Sequence, residues 1–96
     1  MLIDKGFSQG EVISFKLTSG EELIARLEEA RDTEYRITKP MVLSMAPQGI
    51  GMMPFMITVD NNKVITIEKS KVVAAAVTVK EFADQYLSGT TGISLR

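Results

Sequence analysis

The chain contains no cysteine and no histidine. Without cysteine it can form neither a disulfide nor a thiolate metal site. Without histidine it lacks the commonest metal ligand and the commonest general base, so catalysis would rest on carboxylates, lysine or tyrosine alone. These absences point to a non-enzymatic protein with no catalytic residues, no metal and no cofactor. Long apolar runs are missing too. The longest, Val72 to Val77, has the length of a strand, far short of the roughly 18 residues that cross a bilayer. Met1-Leu2-Ile3-Asp4-Lys5 is too short an apolar start for a signal peptide. A soluble, cytoplasmic protein with no membrane partner is expected.

What is present suits a folded domain. Ninety-six residues, 45% hydrophobic and 24% charged, make one domain rather than a disordered chain. A chain of this size buries about two-thirds of its unfolded surface, so its core is thin. The net charge of −1 is unevenly spread. Residues 1–34 hold eight acids and four bases, whereas residues 35–96 hold four acids and seven bases. Such asymmetry makes opposite faces or complementary subunit edges, or simply a mixed surface. A balance this close to neutral does not advertise nucleic acid.

The strongest local signal lies between Val12 and Leu27. Ile13, Phe15 and Leu17 alternate with Ser14, Lys16 and Thr18, and Leu23, Ala25 and Leu27 alternate with Glu22, Arg26 and Glu28. That is the period of half-buried strands. Thr18-Ser19-Gly20 forms the turn, with Gly20 at the position that favours a left-handed backbone. Strands are expected at residues 11–17 and 21–29, after an extended lead-in over 1–10. Tyr35 and Ile37 share a face in the next strand. Pro40 interrupts that ladder because it has no N–H to donate, and Met41, Leu43 and Met45 continue beyond it. Pro47 to Pro54 reads as a long loop, with Gly49 and Gly51 between two prolines. Phe55, Ile57 and Val59 alternate as a further strand, and Asp60-Asn61-Asn62-Lys63 forms a turn. Ile65 and Ile67 lead into a last strand ending at Val77. Short strands with frequent turns and no intervening helix mean an antiparallel sheet or barrel.

One helix is expected, over residues 78–89. Thr78 and Glu81 have capping-box spacing. Val79, Phe82, Ala83, Tyr86 and Leu87 form an apolar stripe, and Gly89 is placed to end the helix. Residues 90–96 read as a tail.

Three groups could carry function. Glu21-Glu22 and Glu28-Glu29 are neighbours on strands, point to opposite faces and do not converge. Met41, Met45, Met52, Met53 and Met56 cluster in and around the Gly/Pro segment; methionine adapts to irregular contacts, so these form a subunit interface or peptide-binding patch, or else fill the core. Arg36, Lys39, Lys63, Lys69, Lys71 and Lys80 form a basic group. Copied around an oligomer, such cations make a positive rim for single-stranded nucleic acid, with Tyr35 as a stacking face. The same lysines also serve as edge charges against aggregation.

In this order of elements the chain resembles the Sm/LSm family, the small five-stranded bent barrels that include the Hfq-like proteins. FKLTSGEELIARL is similar to the first Sm motif, and Asp32-x-x-Tyr35-Arg36-Ile37 stands where that motif has Asp-x-x-apolar-Asn-apolar. Ile67 to Val73 resembles the second motif, Ile-Arg-Gly-Ser/Asp-Asn-Ile/Val-apolar. The compact Gly/Met segment is also similar to Sm-like proteins of marine bacteriophages, whose compartment is the host cytoplasm. The likeness covers residues 11–77 and implies an all-β, five-stranded SH3-type barrel that forms a homo-oligomeric ring and binds RNA or other single-stranded nucleic acid. Tyr35, Arg36, Lys69 and Lys71 are the nucleic-acid residues it implies. Arg36 stands in place of the uridine-contacting Asn, Glu68-Lys69 in place of Arg-Gly, and Lys71 in place of the second Asn, so the uridine pocket is not carried over intact. Ala25 occupies the place of a bend glycine, and the helix follows the strands instead of preceding them. The alternative is a structural or adaptor protein, in a phage setting, whose ring binds protein through the Met41–Met56 segment, Phe82 and Tyr86.

Overall fold

The computed structural model describes residues 6–90. Its first hairpin follows from alternation and a glycine turn. β1 (Val12–Leu17) and β2 (Glu22–Ala30) pair antiparallel, with Ile13 opposite Ala25 and Phe15 opposite Leu23. Leu17 N–H donates to the Glu21 carbonyl and Gly20 N–H to the Leu17 carbonyl, both at 2.9 Å. Gly20 sits at φ 108°, a region in which a side chain is strained.

β3 (Glu34–Ala46) runs thirteen residues and is the strand on which three others pair. One edge pairs with β2. The other is used twice, by β4 (Gly49–Pro54) on Met41 to Ala46 and by β5 (Ile65–Glu68) on Glu34 to Ile37. A single 3-10 turn, Lys69–Lys71, leads from β5 into β6 (Val72–Val77), which pairs with β1. The antiparallel sheet thus runs β4–β3–β2–β1–β6, with β5 alongside β4 on β3.

This sheet is open and has six strands, which corrects the expectation of a five-stranded barrel. Residues 55–64 leave the sheet between β4 and β5, splitting one strand edge into two, and among the described residues no ladder joins β5 to β6. Two further expectations change. Pro47 to Pro54 is not a long loop: Pro47 and Gln48 form a tight turn, Gly49 leaves it at φ 137°, and the rest is β4. Phe55, Ile57 and Val59 do not form a strand; only Phe55 packs on the core, while Ile57 is 81% exposed. The Asp60 turn forms, with Lys63 N–H on the Asp60 carbonyl and Asn62 N–H on its carboxylate.

Pro40 does not break β3. Thr38 pairs with Arg26 and Met41 with Ile24, so Lys39 and Pro40 together oppose Ala25 alone. This is a β-bulge, the place in a ladder that tolerates a missing N–H. Lys39 takes the left-handed conformation, φ 53°. Its N–H donates to the Asn61 carbonyl, its carbonyl accepts the Tyr86 hydroxyl, and its Nζ donates to the Thr90 carbonyl.

The core lies on one face of the sheet: Ile13, Phe15, Leu17, Leu23, Ala25, Leu27 and Ile37, covered by Tyr35, Phe55, Ile67 and Val72 among others. Phe7 joins it, and Gly10 N–H donates to the Leu27 carbonyl at 2.7 Å, which ties the described part of the lead-in to β2. Residues 1–5 and 91–96 of the expected lead-in and tail lie outside the described residues.

Helix α1 (Lys80–Thr90) starts later than the capping box predicts. The Thr78 hydroxyl is buried against β1, 2.7 Å from the Ser14 hydroxyl, and the first helical bond runs from Ala83 N–H to the Val79 carbonyl. Gly89 lies inside the helix, whose last carbonyls are met instead by Thr90 Oγ1 and Lys39 Nζ. Of the predicted stripe Tyr86 is buried, Phe82 and Ala83 are half-buried, and Val79 and Leu87 are exposed.

Candidate assembly surfaces and basic turn

The clustered methionines form a hairpin arm. Strand register places Met41 opposite Pro54, Leu43 opposite Met52 and Met45 opposite Ile50 on one face, with Val42 opposite Met53 on the other. Met41 and Met52 are half-buried, whereas Met45 is 82% exposed and Ile50, Met53 and Met56 are also exposed. Met56 lies outside the arm, in the segment between β4 and β5. Simple core filling therefore does not account for the cluster. From Pro40 to Val59 there is no charged residue at all.

β6 is the second uncharged surface. No charge occurs from Val72 to Val79, and Val73 and Val77 are exposed. One edge of β6 pairs with β1; among the described residues the other is unpaired, as is the outer edge of β4 at the opposite end of the sheet. Soluble proteins ordinarily blunt such edges with lysine, proline or a bulge. Here Pro54 stands at the end of β4 and Val73 is an extra residue in the β1–β6 ladder, but neither edge carries a lysine.

Phe82, predicted at an interface, lines a groove of about 330 Å³ with Ile24, Leu43, Ile50 and Val77. Tyr86, predicted beside it, is closed to a partner. It is 1% exposed, and its hydroxyl donates to the Lys39 carbonyl at 2.7 Å and lies 3.3 Å from that of Thr38. Burial holds its phenolic proton far above the ordinary tyrosine range. Its role is to fasten the helix to the bulge.

The predicted nucleic-acid residues fall in three places. Tyr35 pairs with Ile67 across β3 and β5, and this register brings Lys69 Nζ over the Tyr35 ring, 5.0 Å from its centroid. The Phe15 ring packs against the same ring at 5.1 Å, tilted by 56°. Tyr35 and Lys69, with Phe7, line a hollow of about 250 Å³. Lys71, at the other end of the 3-10 turn, lines a separate hollow with Leu17, Phe55 and Ile67. Arg36 alternates to the face opposite Tyr35, where its Nε is 3.2 Å from the Glu34 carboxylate. The structure joins Tyr35 to Lys69 and separates both from Arg36.

The acidic pairs diverge as expected. Glu28 accepts the Thr38 hydroxyl at 2.8 Å, Glu29 meets Arg31, and Glu21 accepts from Ser19, a bond that holds the Glu21 carboxyl below its usual range. Among the described residues no cluster of carboxylates could hold a metal ion, and no helix is long and apolar enough to cross a membrane. Sequence reasoning named Lys39 only as one of a basic group and missed its place in the bulge; it also missed the small side chains of β6, for which the uncharged run was the available signal. No family model matches the chain, and no curated protein does.

Proposed function

We propose that this domain works without catalysis, as a module that assembles head to tail into a ring of identical copies and presents the assembled surface to protein partners. The observation that carries this reading is the pair of uncharged, unpaired edges at opposite ends of one sheet, β4 and β6. An edge row of free N–H and C=O groups is a template for another strand. β4 and β6 are each six residues long. Pairing β4 of one copy with β6 of the next is a heterologous contact, which repeats until it closes. The resemblance to Sm-like proteins supports closure into a ring. The exposed arm, with Met45 and Met53, supports protein as the partner, since pliable methionine surfaces suit irregular apolar contacts.

The test is the mass in solution. Sedimentation velocity at micromolar concentration is expected to show an oligomer of defined size. Val73→Lys with Val77→Lys puts charge on the β6 edge and is expected to give a folded monomer. A wild-type chain that stays monomeric at the highest soluble concentration would overturn the reading.

A second reading rests on Lys69 and Lys71, which flank the turn between β5 and β6, with Lys69 against Tyr35. Repeated around an oligomer, these cations would hold the phosphates of single-stranded RNA or DNA. Binding of oligo-U or oligo-A, followed by fluorescence anisotropy, is expected to weaken steeply with salt and to vanish in Lys69→Glu with Lys71→Glu. An absence of binding at low salt in the wild-type oligomer removes this reading and leaves the first.

A further inference from the structure

β6 carries three consecutive alanines, Ala74, Ala75 and Ala76. Alanine is a poor strand former, because a strand is stabilised by side chains that pack on the pleated surface. Ala75 points toward the core and packs on it. Ala74 and Ala76 pair with Lys16 and Ser14 and share the opposite face with them. A hollow of about 220 Å³ lies beside these small side chains, lined also by Ser14, Lys16 and Glu22. Ser14 and Glu22 also border the separate groove that Ile24, Leu43, Ile50 and Phe82 of the same copy line. The alanine trough is the hollow along the β6 edge, lined by Ala74, Ala75 and Ala76.

The other end of the sheet has the inverse shape. Ile50 and Met52 project from β4 on the face they share with Met45, and Met53 projects from the other. We propose that these arm side chains are knobs that seat in the neighbouring copy's alanine trough, so that side-chain fit, as well as backbone pairing, joins one copy to the next. The proposal rests on the edge-to-edge assembly described above.

The occupant is a second copy for three reasons. The chain itself supplies a strand of matching length whose large apolar side chains alternate with the small residues Gly49 and Gly51. Charge matches: the arm carries none, so docking strips no ion of its water. The only charges bordering the trough, Lys16 and Glu22, lie directly opposite each other on β1 and β2 and are of opposite sign. Finally, the trough and the knobs lie at opposite ends of one sheet, so each copy offers both halves of a contact and leaves both to be filled by neighbours. On the other face Met53 comes beside the exposed Val73 and Val77, which leaves less of either edge's apolar surface in water.

The experiment fills the trough in the full-length chain. Ala74→Leu with Ala76→Leu changes two exposed positions and adds better strand formers, so the fold is retained, as circular dichroism and urea unfolding will show. The dissociation constant from sedimentation equilibrium is expected to rise about tenfold or more. Ile50→Ala with Met52→Ala is expected to weaken assembly similarly. Combining filled trough with trimmed knobs is expected to cost less than the two effects together, because both act on one contact. If the wild-type chain assembles but the filled trough leaves its dissociation constant unchanged, knob docking is refuted and edge pairing stands. Strict additivity in the combined variant refutes it equally. A monomeric wild type refutes both.

Discussion

Phe15→Ala is expected to lower the stability of the domain by about 3–5 kcal/mol, the range for removing a fully buried aromatic ring. Phe15 is completely buried, pairs with Leu23 on one side and Ala75 on the other, and packs its ring against Tyr35. Its neighbours are fixed by two strand ladders, so the space left behind cannot collapse cheaply. Tilted aromatic contacts add about 0.5–1.5 kcal/mol beyond area burial. A domain of this size has only about 5–15 kcal/mol of total stability, so the variant should unfold in mild urea. The loss should also be felt at the basic turn, because Tyr35 is held between Phe15 and Lys69. Urea titration monitored by circular dichroism measures the effect. A loss under about 1 kcal/mol would mean that Phe15 does not occupy the centre of the core.

Tyr86→Ala is the second large effect, also about 3–5 kcal/mol. An eleven-residue helix is marginal alone in water, and Tyr86 is its only buried residue. Far-UV circular dichroism should show helical signal lost at a lower urea concentration than strand signal. Tyr86→Phe keeps the ring and removes only the hydroxyl, which leaves the Lys39 carbonyl without that donor; about 1–3 kcal/mol is expected. The two variants separate packing from hydrogen bonding.

The same residue sets an alkaline limit. In the folded state burial keeps the Tyr86 proton on well above pH 10.0, its ordinary value. In the unfolded chain the phenol ionises near its ordinary value, so above it the unfolded state binds fewer protons than the folded one. Stability from this group is therefore complete below pH 10.0 and falls as pH rises beyond it, by at most about 1.4 kcal/mol per pH unit. Tyr86→Phe should flatten that part of the pH profile. An unchanged alkaline slope in the variant would show that Tyr86 is not the group responsible.

The first hairpin was legible because its two strands alternate, with Ile24 the buried exception on the opposite face, and Gly20 marks the one position of its turn that needs a positive φ. β4 was not legible, for a physical reason. Glycine and proline mark turns in an isolated sequence, yet on an edge strand Gly51 loses little and Pro54 can stand at the end, where no ladder needs its N–H. The converse error came from Phe55, Ile57 and Val59. Their alternation matches a strand, but among the described residues they join no ladder, and Ile57 faces solvent. The Tyr35–Lys69 contact depends on strand register across β3 and β5, which no local spacing encodes, whereas the separation of Arg36 from Tyr35 follows from alternation alone. The bulge role of Lys39 was invisible for a different reason: a left-handed lysine has no sequence signature, and its three polar groups serve two distant segments, the detour at Asn61 and the helix at Tyr86 and Thr90.

The detour between β4 and β5 gives the domain a place where length is free. Phe55 N–H is held by the Pro40 carbonyl and Ile65 pairs with Ile37, so both ends of the segment are anchored to neighbouring parts of β3. Lengthening a loop whose ends are already fixed adds only about 0.6 kcal/mol per doubling. A reporter peptide or binding epitope spliced between Asn62 and Lys63, beyond the Asn61 carbonyl that Lys39 uses, would hang from the sheet without altering either strand. In an assembled ring each copy would carry one, so this detour is a ready port for displaying the same cargo at regular intervals.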